Sequence, residues 1–219
     1  MRLRALIAAA AVAGFPAAAF AHPHAFIDAS LRLETDGAGR LLAVAVDWRY
    51  GRADSHYILD ARGYFDDGKI TGAELRALVR DEIDWSVVPG DLSVMQGGTA
   101  LPLGPLVSPS VVYEGEVLTF THRRVLSAPA APEAGPVEVK VYDPEFYTAY
   151  SLDEAALAAP DPACRLRVEP ADLEEAGRRL GEALDAMNLS ADPQDAGPGD
   201  PFPEVGAFFA DAVILDCRP

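Results

Sequence analysis

The sequence predicts an α+β fold: a mainly antiparallel β-sheet or sandwich with an inserted helical segment and a C-terminal helix. Three observations predict it. Apolar and polar residues alternate over Ala25–Glu34 and again over Leu41–Arg49, the period of a half-buried strand. Helical patterning fills roughly residues 52–84 and returns only after Pro170. Elsewhere, short β-type runs are separated by Gly- and Pro-containing turns, so strands lie before and after a helical insert rather than alternating with helices.

The chain opens with the three parts of an export signal. Arg2 and Arg4 supply the positive start, Ala5–Gly14 the short apolar core, and Ala19-Phe20-Ala21 a small-x-small cleavage site. The apolar run is well short of the roughly 20 residues that a bilayer span needs. Residues 1–21 are therefore read as a signal peptide, and residues 22–219 as one α+β domain in the periplasm, with no membrane span after cleavage. Removing 21 of the 219 residues leaves 198, long enough to bury a sizeable core.

In the first strand Ala25, Ile27, Ala29, Leu31 and Leu33 share one face. Asp36-Gly37-Ala38-Gly39 marks a turn, and Leu42, Val44, Val46 and Trp48 form one face of the return strand, completing a β-hairpin. Residues 52–62 read as a helix. Thr71–Ile83 reads as a second, with Thr71 and Glu74 as a capping box and Leu75, Leu78 and Val79 as its apolar stripe. Strand runs follow around Gly97-Gly98 and around Glu114-Gly115, then at Val137–Tyr142, Phe146–Leu152 and Arg165–Val168. A helix from Pro170 to about Met187 places Leu173, Ala176, Leu180 and Leu184 on one face. A Pro- and Gly-rich loop at 190–203 precedes a last strand, Ala212–Cys217.

The formal charge of −16 becomes −18 on loss of Arg2 and Arg4, a surface that repels nucleic acid and anionic lipid. The two cysteines, Cys164 and Cys217, match no zinc or redox spacing. In an exported, oxidising compartment they are expected to pair as a disulfide tying the last strand to the body. The sequence has no Gly-x-Ser-x-Gly elbow and no phosphate loop, and the chain is read as a non-enzyme. The strand–helix rhythm of a two-lobed solute-binding protein is missing as well.

Chemistry is expected at the new N-terminus, His22-Pro23-His24. An N-terminal histidine chelates through its α-amine and Nδ1, a donor set suited to Cu(II), then Ni(II) and Zn(II). Pro23 has no N–H to give up, so a planar site built on backbone amides is excluded. Asp28 is excluded too: four residues of strand place it about 13 Å from His24, against ligand bonds of about 2 Å. If the hairpin turns near Ala38, paired positions sum to about 75. That brings Asp54 and His56 to the same end as further candidate ligands. His122 is read as a surface residue beside Arg123 and Arg124.

Gly63–Glu74 can be laid on a calcium loop, with Asp67 at its fifth position, Gly68 at its sixth and Glu74 at its twelfth. Gly63 and Phe65 stand where the first and third carboxylates belong, so the loop is read as degenerate, kept for its turn and helix start, and calcium is not expected.

Four stretches resemble one family of exported bacterial proteins, known by the domain-of-unknown-function label DUF1007. They are His22–Ala29; Trp48 with the acidic loop and helix start at Asp66–Glu74; Val141-Tyr142-Asp143-Pro144-Glu145-Phe146-Tyr147; and the Phe209-Ala210 to Cys217 ending. The resemblance implies a periplasmic component of a transport system associated with nickel/cobalt-type metal permeases, and so an inner-membrane metal permease as partner. Together with the N-terminal donors, it leads to the expectation of a metal-handling accessory protein. The alternative is a non-metal interaction or scaffold module of a transporter.

Overall fold

The computed structural model describes residue 23 and residues 25–64, 69–81, 91–186 and 203–218. The expected signal segment and nearly all of the expected 190–203 loop lie outside these residues. The described elements are β1 (Ala25–Thr35), β2 (Leu41–Tyr50), α1 (Arg52–Ala61), α2 (Gly72–Asp81), β3 (Ser93–Gln96), β4 (Thr99–Ala100), β5 (Leu103–Glu114), β6 (Val117–Ala130), β7 (Val137–Lys140), β8 (Thr148–Leu152), β9 (Arg165–Glu169), α3 (Leu173–Ala186) and β10 (Ala212–Asp216). The fold is α+β, as its alternation predicts. One five-stranded sheet runs in the order β5-β6-β2-β1-β8 and the other in the order β4-β3-β7-β10-β9. Pairing is antiparallel except between β1 and β8.

The β1–β2 hairpin shows how the sequence sets the core. Ile27, Ala29, Leu31 and Leu33 are buried, and Val44, Val46 and Trp48 sit opposite Leu33, Leu31 and Ala29. Phe120 and His122 of β6 extend the same face across β2. Val94, Val139, Val213 and Leu215 supply the second sheet's share of one continuous apolar cluster. Leu59 of α1 and Leu78 of α2 join it, both fully buried. Each such side chain contributes about 1.5–3 kcal/mol by leaving water. The register differs from the expected one. Thr35 lies opposite Leu41, one residue beyond the simple count, and a bulge between Glu34 and Thr35 adds one more, so that Ile27 lies opposite Tyr50. A shift of two keeps Val44, Val46 and Trp48 on their predicted face, whereas at the strand's start it is Leu41, not the expected Leu42, that is fully buried, beside a register irregularity between Leu41 and Ala43.

The other face of the first sheet is polar at its flanks. The Arg123 guanidinium reaches across β2 to Glu34, with Nε donating to both carboxylate oxygens at 2.9 and 3.0 Å. Ala43 and Ala45 of the intervening strand are buried as a result, since only small side chains fit between the flanking elements. The bond from Arg123 holds the Glu34 carboxyl below its ordinary value, against a smaller opposing effect of burial.

Cys164 and Cys217 form the expected disulfide, 53 residues apart in sequence. It extends the β9–β10 ladder, whose last pair is Arg165 with Asp216. The β1–β2 turn rests on it. Asp36 accepts bonds from the Ala38 and Arg40 amides at 3.0 Å each, and Gly39, at φ +72°, brings its Cα so close that a Cβ there would lie 3.1 Å from Cys217 Cβ.

Three expectations are corrected. His122 is not a surface residue: it is fully buried, because β6 alternation puts it on the same face as Phe120. Leu173, expected on the buried face of α3, is 66 % exposed; it is the helix's first residue, and the buried contact is made one turn later by Ala176. The strand expected over Phe146–Leu152 begins only at Thr148, because Phe146 takes a left-handed φ of 56°.

Candidate functional site

The start of β1 is fixed by a distant part of the chain. Ala25 pairs with Thr148 of the parallel strand β8, and the Ala25 amide donates to the Tyr147 carbonyl at 3.3 Å. The loop that carries Tyr147 is built around Asp143. One carboxylate oxygen accepts from the Glu145 amide at 3.1 Å and the other from the Thr148 amide at 3.0 Å. Its main-chain oxygen accepts from Phe146. Pro144 ends the preceding run and the aspartate turns the chain into β8, which is why an Asp-Pro pair stands here.

A third segment locks that loop. Gly206 donates its amide to the Pro144 carbonyl at 2.9 Å, and Phe209 stacks on Phe146 with ring centroids 3.9 Å apart. A Cβ on residue 206 would lie 1.7 Å from the Asp143 carbonyl oxygen, so only glycine fits. Gly206→Ala is expected to cost about 3 kcal/mol, read as a lowered midpoint in urea unfolding, whereas Ala207→Gly should change it by less than about 1 kcal/mol. Around this junction lies a cavity of about 160 Å³, lined among others by Tyr142, Asp143, Tyr150 and Phe209. Burial pushes the half-buried Tyr150 phenol well above its ordinary value, so it stays protonated there.

The expected metal ligands divide. His22, His24 and Asp67 lie outside the described residues. Asp54 and His56 both lie on α1, which is separated from Tyr50 at the end of β2 by Gly51 alone. Ser55 faces inward: its hydroxyl donates to the Gly51 carbonyl at 2.8 Å and accepts from the Leu118 amide at 2.9 Å. Residues two apart on a helix point to opposite sides, so Asp54 and His56 flank Ser55 and do not converge on one ion. His56 is exposed and Asp54 half-buried. Asp28, excluded as a ligand above, pairs with Arg49 at 3.3 Å. Among the described residues no group of three or more His, Cys, Asp or Glu side chains is placed to hold a metal ion.

Glu74 serves the helix start. Its carboxylate accepts the Thr71 amide at 2.6 Å while the Thr71 hydroxyl accepts the Glu74 amide at 3.3 Å, the reciprocal capping box that the spacing predicts.

A buried polar cluster was not anticipated. His122 Nε2 lies 2.8 Å from Asp91 Oδ2, and Arg124 engages both carboxylate oxygens and donates to the Gly104 carbonyl at 3.2 Å. Asp91 is 3 % exposed and His122 0 %. Burial alone would raise the Asp91 carboxyl, but the bonds and charges of His122 and Arg124 together bring it below its ordinary value. Because Asp91 leads into β3 while both partners lie on β6, the cluster ties the two sheets through the core. Trp48 meets His122 edge-on, with ring centroids 4.5 Å apart, and Tyr150 at 5.9 Å. A continuous line of packed rings thus runs from the cavity to the cluster. Alternation along Leu118-Phe120-His122 was the available signal for the histidine; nothing local pointed to Asp91.

A family model described as "Protein of unknown function (DUF1007)" matches residues 7–217, nearly the whole chain. No curated protein and no solved structure matches it.

Proposed function

The chain belongs to the DUF1007 family, and from that premise and the geometry above we propose a periplasmic metal-handling accessory protein. It binds one Cu(II), Ni(II) or Zn(II) ion at a mature N-terminus beginning at His22 and serves an inner-membrane metal permease, without catalysis of its own. The observation that supports this reading is convergence. The strand that follows His-Pro-His, the Asp143-Pro144 loop and the Gly206–Phe209 segment meet at one junction, although they are far apart in sequence. In this reading the fixed position of Ala25, whose amide is bonded to the Tyr147 carbonyl, lowers the ordering cost of binding an ion next to it. Such a site uses the α-amine and two imidazoles, with Asp54 or His56, but not both, as an added ligand.

Calorimetric titration of residues 22–219 with the three ions tests it. One saturable site is expected, lost in the His22→Ala, His24→Ala double variant. Heats that do not saturate, or an isotherm that the double variant reproduces, would remove the proposal. The alternative, a non-metal interaction module, draws on the exposed aromatics Phe26 and Tyr147, 63 % and 52 % accessible, near the same junction. That reading expects Phe26→Ala with Tyr147→Ala to abolish association with a permease, and the calorimetric titration to show no saturable metal site.

A further inference from the structure

At the β5 edge of the first sheet, opposite the β8 edge, α2 packs against β5 and borders an open groove of about 540 Å³. Leu75, Val79 and Val111 provide its apolar surface, and Arg76 and Arg80 stand along its rim. Three features set it apart. The first is charge: in a chain with 34 acidic and 18 basic residues, carboxylates are in surplus, and most described arginines hold one. None of the ion pairs among the described residues includes Arg76, whose Nη1 instead lies toward Gly72 at the start of the helix. The second is spacing. Arg76 and Arg80 are one turn apart, a like-charge arrangement that destabilises a helix by itself, and both border the same apolar floor. The third is the opposite wall. β5 departs from regular pairing between Val107 and Ser110, where Ser108 takes a φ of 53° and Pro109 follows, so the backbone is strained where the groove opens.

We propose that this groove binds a small anionic amphiphile, a medium-chain carboxylate whose head group pairs with Arg76 while its alkyl chain covers Leu75 and Val79. A guanidinium fork suits a carboxylate in two-point geometry, and the volume lies within the range of small-ligand sites. A partner polypeptide is the weaker match. Pro105 and Pro109 remove amide donors from the β5 edge, and the bulges break its line, so an added strand has no continuous ladder to join. The groove is separate from the N-terminal junction, and the proposal stands or falls independently of metal binding.

The test is titration of residues 22–219 with dodecanoate, followed by calorimetry and by amide shifts in NMR spectra. Acetate serves as head group without tail and dodecyltrimethylammonium as tail with reversed charge. Saturable one-to-one binding of dodecanoate alone is expected. Arg76→Gln should weaken it about tenfold or more, whereas Arg32→Gln, which removes an exposed arginine from the other face of the sheet, should leave it unchanged. Equal binding of the cationic amphiphile would overturn the proposal, as would an affinity that Arg76→Gln does not alter. Binding only to phosphatidylglycerol vesicles and not to free dodecanoate would overturn it in favour of a membrane surface, and shifts in the groove with an acidic peptide alone in favour of a protein partner.

Discussion

Asp91→Asn is expected to lower the unfolding free energy by about 3–5 kcal/mol, the cost of removing one partner from a buried ion pair. Asp91 is 3 % exposed and holds His122 and Arg124 at once. Without its charge the guanidinium is left in the core facing a neutral amide. Against a typical total of about 5–15 kcal/mol, that loss shifts the urea midpoint by a large fraction. Acid acts on the same group. Its folded pKa lies below the ordinary value, about 3.9 in an unfolded chain, so the unfolded state takes up the proton first. The stabilisation is therefore fully present above about pH 5 and disappears as the pH falls through 4 and on through the folded value. In the asparagine variant the acid limb of the stability curve should be shallower. Replacing the cluster together, as Asp91→Leu, His122→Leu and Arg124→Met, should recover much of the loss, because no uncompensated charge remains. A single variant that unfolds like the wild type would show that the cluster is not a tie between the sheets.

The second large effect is expected at the disulfide. Cys164→Ser with Cys217→Ser removes a crosslink across 53 residues, worth about 4 kcal/mol in the chain-entropy account. Reductant should lower the Tm of the wild-type protein and leave that of the double variant unchanged. Because the Cys217 Cβ also supports the β1–β2 turn at Gly39, the loss should be accompanied by faster amide exchange at Ala38 and Arg40. A double variant as stable as the oxidised wild type would contradict this.

Much of the fold was legible because its signals are local. Alternation defined the faces of β1 and β2, the Thr71–Glu74 spacing gave the start of α2, and a chain with just two cysteines gave the crosslink. What was not legible depends on distant partners. The parallel pairing of β1 with β8 has no signature in either strand. The hairpin register lies two residues beyond the simple count, one of them from the bulge at Glu34, a displacement that side-chain parity cannot report. His122 was within reach, since it shares the parity of Phe120, yet two neighbouring arginines made a surface position the simpler expectation. Its burial depends on Asp91, 31 residues away. For the candidate site, the sequence suggests donors, His22 and His24, that lie outside the described residues, while the structure adds the junction that holds the start of β1 and shows that Asp54 and His56 point apart.

Native mass spectrometry of the protein produced from its full sequence in bacterial cells, isolated with copper present, tests the central proposal in one measurement. The account predicts a chain of residues 22–219 carrying a single divalent ion, with the ion absent from the His22→Ala, His24→Ala variant. A chain that starts elsewhere and still carries the ion, or one that starts at His22 and carries none, would contradict it.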